Sequence, residues 1–160
     1  MMKQRLTEKF AEIFGNAEGA EYFFAPGRVN LIGEHTDYNG GHVFPCALTI
    51  GTYALARKNS EGKMNFYSDN FPSRGVTSVP ASDFVYESTD GWTNYPKGVM
   101  WAFTQEGFEI PCGLDILYFG NIPNGSGLSS SASIEVVTAV ILKEMFGFDV
   151  DMVNVSLLTQ

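Results

Sequence analysis

Residues 120–133, GNIPNGSGLSSSAS, carry the strongest signal for chemistry in the chain. A short apolar run precedes Gly125 and Gly127, and the apolar periodicity of a helix begins near Ser131. Glycines let a backbone approach a ligand closely and adopt positive φ. The free N–H groups and the positive dipole end of the following helix then attract anions. The segment predicts a phosphate-binding loop, in which the serines at 129–131 can donate to phosphate or bind Mg²⁺.

This loop matches neither of two common phosphate motifs. A Walker loop needs a lysine, and none occurs between Lys97 and Lys143. A dinucleotide fingerprint needs a third glycine at a fixed spacing, which is absent here. From loop chemistry alone, a serine-capped helix that binds no ligand is an equally good interpretation.

A second candidate site is the polar loop GEHTDYNGGH at residues 33–42, which follows a strand pattern containing Arg28. The carboxylates of Glu34 and Asp37 are good acceptors for sugar hydroxyls, and His35 can donate or accept. Arg28 could stabilise charge on a transferring phosphoryl group. Taken alone, this loop fits better as a surface turn with a structural arginine–carboxylate pair. One histidine and two carboxylates have no diagnostic metal-binding spacing.

Hydrophobic periodicity supplies the elements that position these two loops. It predicts a helix ending near Gly15, a second from about Tyr95 to Gly107, a third from Ser131 to Gly147, and a fourth capped by Asp149 or Asp151. Strand patterns cover residues 22–32, 43–48, 50–57, 63–68 and 114–119. Residues 70–90 show no clear pattern. Because strands and helices mix without strict alternation, the sequence favours an α+β fold.

Composition limits the classes of protein to which the chain can belong. Its 160 residues suit one domain, and 44% hydrophobic residues suit a packed core. The net charge of −8 argues against nucleic acid as the main partner. No run approaches the roughly 18 apolar residues of a membrane span, and residues 1–10 do not resemble a signal peptide. We therefore expect a cytoplasmic protein without a membrane partner.

Several other side chains are assigned structural roles. Cys46 and Cys112 are interpreted as reduced thiols of the core. Asp69 and Asp90 are expected to be solvated or to cap helices. The aromatic residues expected in the core or in a pocket wall are Trp92, Tyr95 and Trp101.

Three segments together resemble a known family. PGRVNLIGEHTDYNGG at residues 26–41 resembles the galactokinase signature, and WTNYPKG at residues 92–98 matches a galactokinase-like WxNYxxG element. Residues 120–133 resemble the phosphate-binding motif of the GHMP kinase superfamily. The serine loop alone would also suit mevalonate or homoserine kinases, whereas the first motif is long and specific. The chain is similar to the N-terminal portion of a galactokinase.

The resemblance implies an ATP-dependent sugar kinase that uses Mg²⁺ and phosphorylates the C1 hydroxyl of α-D-galactose. It implies galactose binding by Glu34, His35, Thr36 and Asp37, and transition-state stabilisation by Arg28. It implies ATP binding by Ser68, Gly125, Ser126, Gly127, Leu128, Ser129, Ser130 and Ser131, with Ser131 also on Mg²⁺. The catalytic base and a Mg²⁺-binding glutamate would be expected beyond Gln160, so the 160 residues alone are expected to be inactive.

The implied fold is the GHMP kinase N-terminal domain, a ribosomal S5 domain 2-like sandwich of a mixed sheet with helices, without the C-terminal domain. It would occupy residues 1–160, with the galactose-binding signature at 20–50 and the phosphate-binding loop at 120–133. Two alternatives stay open: a regulatory module that binds sugar and ATP, or a kinase for a related sugar such as N-acetylgalactosamine. The intact SGLSSSAS segment favours the enzyme over the regulatory module.

Overall fold

The computed structural model describes residues 1–33, 35–123 and 125–160. The predicted site residue Glu34 and the side chain of the predicted Asp37 lie outside the described part. The helices are α1 (Met2–Phe14), α2 (Asn94–Gln105), α3 (Ser130–Phe146) and α4 (Met152–Leu158). The strands are β1 (Glu21–Asn30), β2 (Pro45–Asn59), β3 (Lys63–Ser68), β4 (Thr77–Pro80) and β5 (Gly113–Gly120).

The five strands form one mixed sheet in the order β1-β2-β5-β3-β4. Strand β5 pairs antiparallel with β2 and parallel with β3, and the other two pairings are antiparallel. Side chains alternate along β5, so Ile116 and Leu117 point to opposite faces. The structure confirms the predicted α+β class.

The two faces of the sheet have separate cores. Ile116 packs in the larger core with Val99 of α2, Val137 of α3 and Val155 of α4. Leu117 packs on the opposite face with Leu6 and Phe10 of α1, the helix that hydrophobic periodicity predicts to end near Gly15. The sheet is therefore covered by α2, α3 and α4 on one side and by α1 on the other.

The structure corrects several element boundaries. The strands predicted at residues 43–48 and 50–57 are one long strand, β2, which begins at Pro45 and continues through Thr49. Gly51 lies within β2, where an added Cβ would collide with the carbonyl oxygen of Ala25 on β1. The glycine permits a close strand contact there rather than a break. Strand β4, in the segment without a clear pattern, was missed because it has only four residues.

The fourth helix begins where one of the two predicted caps stands. Asp151 is the N-cap of α4, and its carboxylate accepts a hydrogen bond of 2.8 Å from the Asn154 amide. The helix ends at Leu158. No helix in the described ranges is both long and apolar enough to traverse a bilayer.

Candidate active site

The glycine–serine loop lies at the N-terminus of α3. Gly125 and Gly127 both have φ of 70°, the left-handed region that glycine adopts without strain. Among the described residues no side chain caps α3, and its first turn carries no acidic residue. Since the first N–H groups of a helix have no partner within the helix, this end is an electropositive set of donors. Exposed Ser130 and Ser131 add two hydroxyls beside it.

Ser129 has an unusual backbone for a residue with a side chain. It is the N-cap of α3 at φ 59° and ψ 47°, in the left-handed region. Such a conformation costs on the order of 1–3 kcal/mol and is found most often at functional sites. The chain therefore holds this loop in a defined shape at some cost in stability.

Strand β1 contacts the loop directly and joins the two candidate sites. The Arg28 amide donates a hydrogen bond of 3.3 Å to the Leu128 carbonyl. Gly27 is buried, and an added Cβ would lie 2.9 Å from that same carbonyl oxygen and 3.0 Å from Cδ1 of Ile122. Burial alternates along β1 from Phe23 to Arg28, so the Arg28 side chain lies on the exposed side of the strand, next to a register shift between Pro26 and Arg28. The predicted Arg28 and the predicted phosphate loop are thus adjacent.

The polar loop after β1 is held mainly by its own hydrogen bonds. Thr36 Oγ1 lies 2.6 Å from the Gly33 carbonyl and 2.9 Å from the His42 carbonyl, so its proton serves the loop backbone. His35 has φ of 61°, and its Nδ1 lies 2.7 Å from the Tyr38 hydroxyl. The His35 ring is exposed, and its Nε2 has no hydrogen-bond partner among the described residues.

A pocket of about 210 Å³ opens on the other side of the phosphate loop. Its lining includes Ser68, Phe71, Trp92, Ser130 and Ser131. Ser68 is 5% exposed, and its Oγ accepts a bond of 3.3 Å from the Asn70 amide. The structure therefore brings the predicted Ser68, at the end of β3, to the same pocket as the predicted serines of the loop.

Trp92 and Phe71 form aromatic walls of this pocket. Trp92 packs edge-on against Tyr118, with ring centroids 5.7 Å apart. Its buried Nε1 has no hydrogen-bond partner among the described residues, and such an orphaned donor is uncommon in a folded protein. Trp92 was expected in a core or pocket wall, whereas Phe71 was not singled out because its stretch of sequence has no periodic pattern.

Four of the structural assignments need correction. Cys46 is exposed and Cys112 only partly buried, so neither is a core thiol, although both are free. Asp69 is not solvated but forms an ion pair of 2.6 Å with Arg5. Asp90 likewise pairs with the buried ammonium group of Lys97. Neither pair was visible in the sequence, because the partners are distant or lie across a turn.

The electrostatics of the site are set by burial more than by clustered charge. Within the described ranges, no three His, Cys, Asp or Glu side chains are grouped as metal ligands. Glu135 lies on α3 just after the serines, and partial burial raises the pKa of its carboxyl above the usual value. Burial also raises the pKa of the Tyr118 phenol, against a smaller opposing effect of its hydrogen bond with Thr138. Tyr118 is therefore a neutral group in the pocket.

Two family models match the chain. One, described as the galactokinase galactose-binding signature, covers residues 8–58. The other, described as the GHMP kinases N terminal domain, covers residues 94–160. Curated galactokinases are similar over nearly the whole chain. The Bacillus subtilis protein is 55% identical over 94% of this chain, and the Fusobacterium nucleatum protein is 54% identical over 96%. The chain spans 38% and 39% of the lengths of these two relatives.

Solved structures agree with the sequence comparisons. Lactococcus lactis galactokinase complexed with galactose superposes with a TM-score of 0.97 and 46% identity, covering 100% of this chain and 41% of that one. Methanococcus jannaschii mevalonate kinase has a TM-score of 0.76 at 17% identity, covering 89% of this chain and 45% of that one, which shows the fold alone. The family models, the curated relatives and the galactose-bound structure all match galactokinases, and this chain corresponds to their N-terminal portion.

Proposed function

We propose that this chain forms the N-terminal part of a galactokinase, which transfers the γ-phosphate of ATP to the C1 hydroxyl of α-D-galactose. The observation that best supports this proposal is the contact between β1 and the phosphate loop, where the Arg28 amide donates a hydrogen bond to the Leu128 carbonyl. Phosphoryl transfer requires that donor and acceptor be held in line at close range. This contact ties a loop suited to phosphate to the strand that leads into a loop suited to a sugar.

ATP would bind with its phosphates on residues 125–131 and its base in the adjoining pocket. The uncapped N-terminus of α3 and the glycines with φ of 70° suit a polyphosphate. The pocket of about 210 Å³ is smaller than typical whole-ligand sites of roughly 300–1,000 Å³. It suits one flat base between Trp92 and Phe71, close to Ser68. Mg²⁺ would neutralise the phosphate charge, and the exposed Ser131 hydroxyl is the ligand that this chain would offer.

Galactose would bind at the loop after β1. Glu34 and Asp37 are the acceptors proposed for sugar hydroxyls, and His35 would offer its Nε2. Since Thr36 Oγ1 is committed to the carbonyls of Gly33 and His42, Thr36 would act by shaping the loop. Arg28, between the two sites, would stabilise negative charge on the phosphoryl group as it moves from ADP oxygen to sugar oxygen. The C1 hydroxyl loses its proton in the step, to a base for which this chain offers no matching residue.

The compartment is also part of the proposal. The cysteines Cys46 and Cys112 are both free, as is usual for proteins in a reducing environment. We place the protein in the cytoplasm, where ATP is present.

The primary test is galactose-dependent ADP release by the full-length protein and its Arg28 variants. Arg28→Ala should lower kcat by about 10²–10³-fold with little change in either KM, because the lost contact is made in the transition state. Arg28→Lys keeps the charge without the planar fork and should lose less. An unchanged kcat in folded Arg28→Ala would contradict the role. Tight binding of both ligands without turnover would indicate a regulatory module, and faster turnover of N-acetylgalactosamine would indicate the related kinase.

The phosphate loop has its own test. Gly127→Val in the full-length protein should abolish ATP binding, since a β-branched residue is strongly disfavoured at φ of 70° and the loop would change shape. Galactose binding should survive. Calorimetry that shows normal ATP affinity in this variant would contradict the assignment of residues 125–131.

A further inference from the structure

The two aromatic walls of the proposed base pocket belong to different loops. Phe71 starts the short turn Pro72–Arg74 after β3, whereas Trp92 belongs to the turn Ser88–Thr93 before α2. The space between the two rings therefore depends on what joins these turns.

Arg74 joins them. Its Nη1 donates a hydrogen bond of 2.9 Å to the Asp90 carbonyl, and its Nη2 lies 3.5 Å from the Thr89 carbonyl. Gly91, at φ 58°, lies directly beneath the guanidinium group: an added Cβ would be 2.7 Å from Nη1. Arg74 is exposed and is not among the residues that line the pocket.

The turn that receives Arg74 is anchored from the other side. Lys97 of α2, 2% exposed, donates to the Asp90 carboxylate and, over 2.6 Å, to the Val85 carbonyl. Thr93 Oγ1 donates over 2.9 Å to the same Asp90 carbonyl that Arg74 reaches. The Trp92 turn is thus anchored to α2, and Arg74 ties the Phe71 turn to it.

The Phe71 turn is anchored at its start but depends on Arg74 at its end. Asn70 exchanges two hydrogen bonds with the backbone of Gly120, of 2.8 Å and 2.7 Å. After Phe71, the turn has its own backbone bonds from Arg74 to Phe71 and from Gly75 to Pro72. These bonds give the turn its shape but do not hold it to Trp92.

We propose that Arg74 is a positioning residue that sets the separation of Phe71 and Trp92 and thereby the affinity for the nucleotide base. It does so without touching the ligand, the phosphates or the sugar. The inference rests on the proposed function, since it assigns the pocket to the base of ATP.

The test is calorimetry on the full-length protein with four separate probes: ATP, adenosine, inorganic tripolyphosphate and galactose. Arg74→Ala removes both guanidinium contacts with the Trp92 turn, so Kd for ATP and for adenosine should rise about tenfold. Kd for tripolyphosphate and galactose should stay within twofold, and kcat at saturating ATP should be unchanged while KM for ATP rises.

Two matched variants separate geometry from charge. Lys63→Ala removes one positive charge at the far end of β3 and should leave all four affinities unchanged. Arg74→Lys keeps the charge but lacks the two-armed fork, so it should restore ATP affinity only in part. Equal weakening of ATP and tripolyphosphate, or full rescue by Arg74→Lys, would overturn the proposal in favour of simple charge attraction.

Gly91→Ala gives an independent result. The substitution places a methyl group against Nη1 and strains the Trp92 turn at φ 58°, so it should also weaken adenosine binding while leaving tripolyphosphate binding within twofold. Equal weakening of the two probes would overturn the proposal. Melting temperatures show whether Gly91→Ala folds. If it does not, the comparison of Arg74→Ala with Arg74→Lys tests the proposal. Failure of the unmodified protein to bind ATP or adenosine would instead contradict the proposed function and remove the premise.

Discussion

Glu135 carries a carboxyl group whose ionisation should affect the stability of the fold. Partial burial on α3 raises its folded-state pKa above the ordinary value of 4.5. A carboxyl group with a raised folded-state pKa contributes stability that is fully present below the unfolded pKa and is lost as pH rises through the folded pKa. The ionised carboxylate is therefore unfavourable at neutral pH.

Glu135→Gln should remove this dependence. We expect the variant to melt at a higher temperature than the parent at pH 7, with the difference shrinking towards zero as pH falls to about 4.5. Thermal denaturation of both proteins across this range measures the effect. An advantage of the variant that is the same at every pH would show that packing, rather than ionisation, is responsible.

At the residue scale, local patterns predicted some of the site and could not predict the rest. The glycine and serine spacing of residues 120–133 is local, and the loop stands where the sequence placed it, before α3. Arg74 and Asp90 gave no such signal, because Arg74 bonds to backbone carbonyls that are 15 and 16 residues away. Lys97 was overlooked because a lysine in a helix is usually solvated, whereas here it is buried against Asp90.

At the scale of elements, Ser133 connects helix α3 to the sheet. It is 2% exposed, donates over 2.9 Å to the Ala25 carbonyl of β1, and accepts over 2.9 Å from the Thr52 amide of β2. These bonds fix the helix end that carries the phosphate loop against both strands.

Ser133→Ala should cost about 1–3 kcal/mol of stability, because buried polar groups lose a partner. It should also raise KM for ATP more than KM for galactose. Ser156→Ala, which removes an exposed hydroxyl on α4, is the control and should change stability by no more than about 0.5 kcal/mol. Chemical denaturation and steady-state kinetics give both quantities. Equal losses of stability in the two variants would show that the buried hydrogen bonds of Ser133 contribute no more than an exposed hydroxyl does.

At the element scale, strongly periodic segments were predicted well and short or interrupted ones were not. The strand at Lys63–Ser68 has the predicted bounds, and the helices at α1, α2 and α3 agree within a few residues. Strand β2 was predicted as two strands on either side of Thr49, whereas its pairing with β1 both before and after this residue makes it one strand. Strand β4 forms by pairing with β3, which a local pattern does not report.

At the scale of the whole molecule, the contact of Gly27 with Leu128 joins the strand before the proposed sugar loop to the proposed phosphate loop. Gly27→Ala would place a Cβ 2.9 Å from the Leu128 carbonyl oxygen, so the phosphate loop or β1 must shift. Such overpacking costs about 1–3 kcal/mol. We expect a lower kcat and a higher KM for ATP together, because Arg28 and the loop move apart. Gly98→Ala in α2 meets open space and should leave the kinetics unchanged. Unchanged kinetics in both variants would contradict a catalytic role for this contact.

The 160 residues alone should have no measurable kinase activity. They offer the proposed phosphate loop, Arg28 and part of the proposed sugar site, while the chain spans 38% of the length of its Bacillus subtilis relative. General-base assistance contributes roughly 10²–10⁴ in rate, and positioning contributes more. ADP release with galactose and ATP, compared with that of the full-length protein, measures this. Comparable turnover by the two would show that the essential groups all lie within residues 1–160.

The place of β5 between β2 and β3 also governs how the molecule opens. Its backbone amides are bonded on both sides, and residues 113–118 are all buried, whereas β4 has four residues and a single neighbour. Regions with few partners open by local fluctuation, while central strands exchange their amide protons only when the whole domain unfolds. Amide protons of β5 should therefore be the last to be replaced by deuterium. Those of β4 and of the turns around Phe71 should exchange long before, so the proposed base pocket would be lined on one side by the slowest part of the molecule and on the other by one of the fastest.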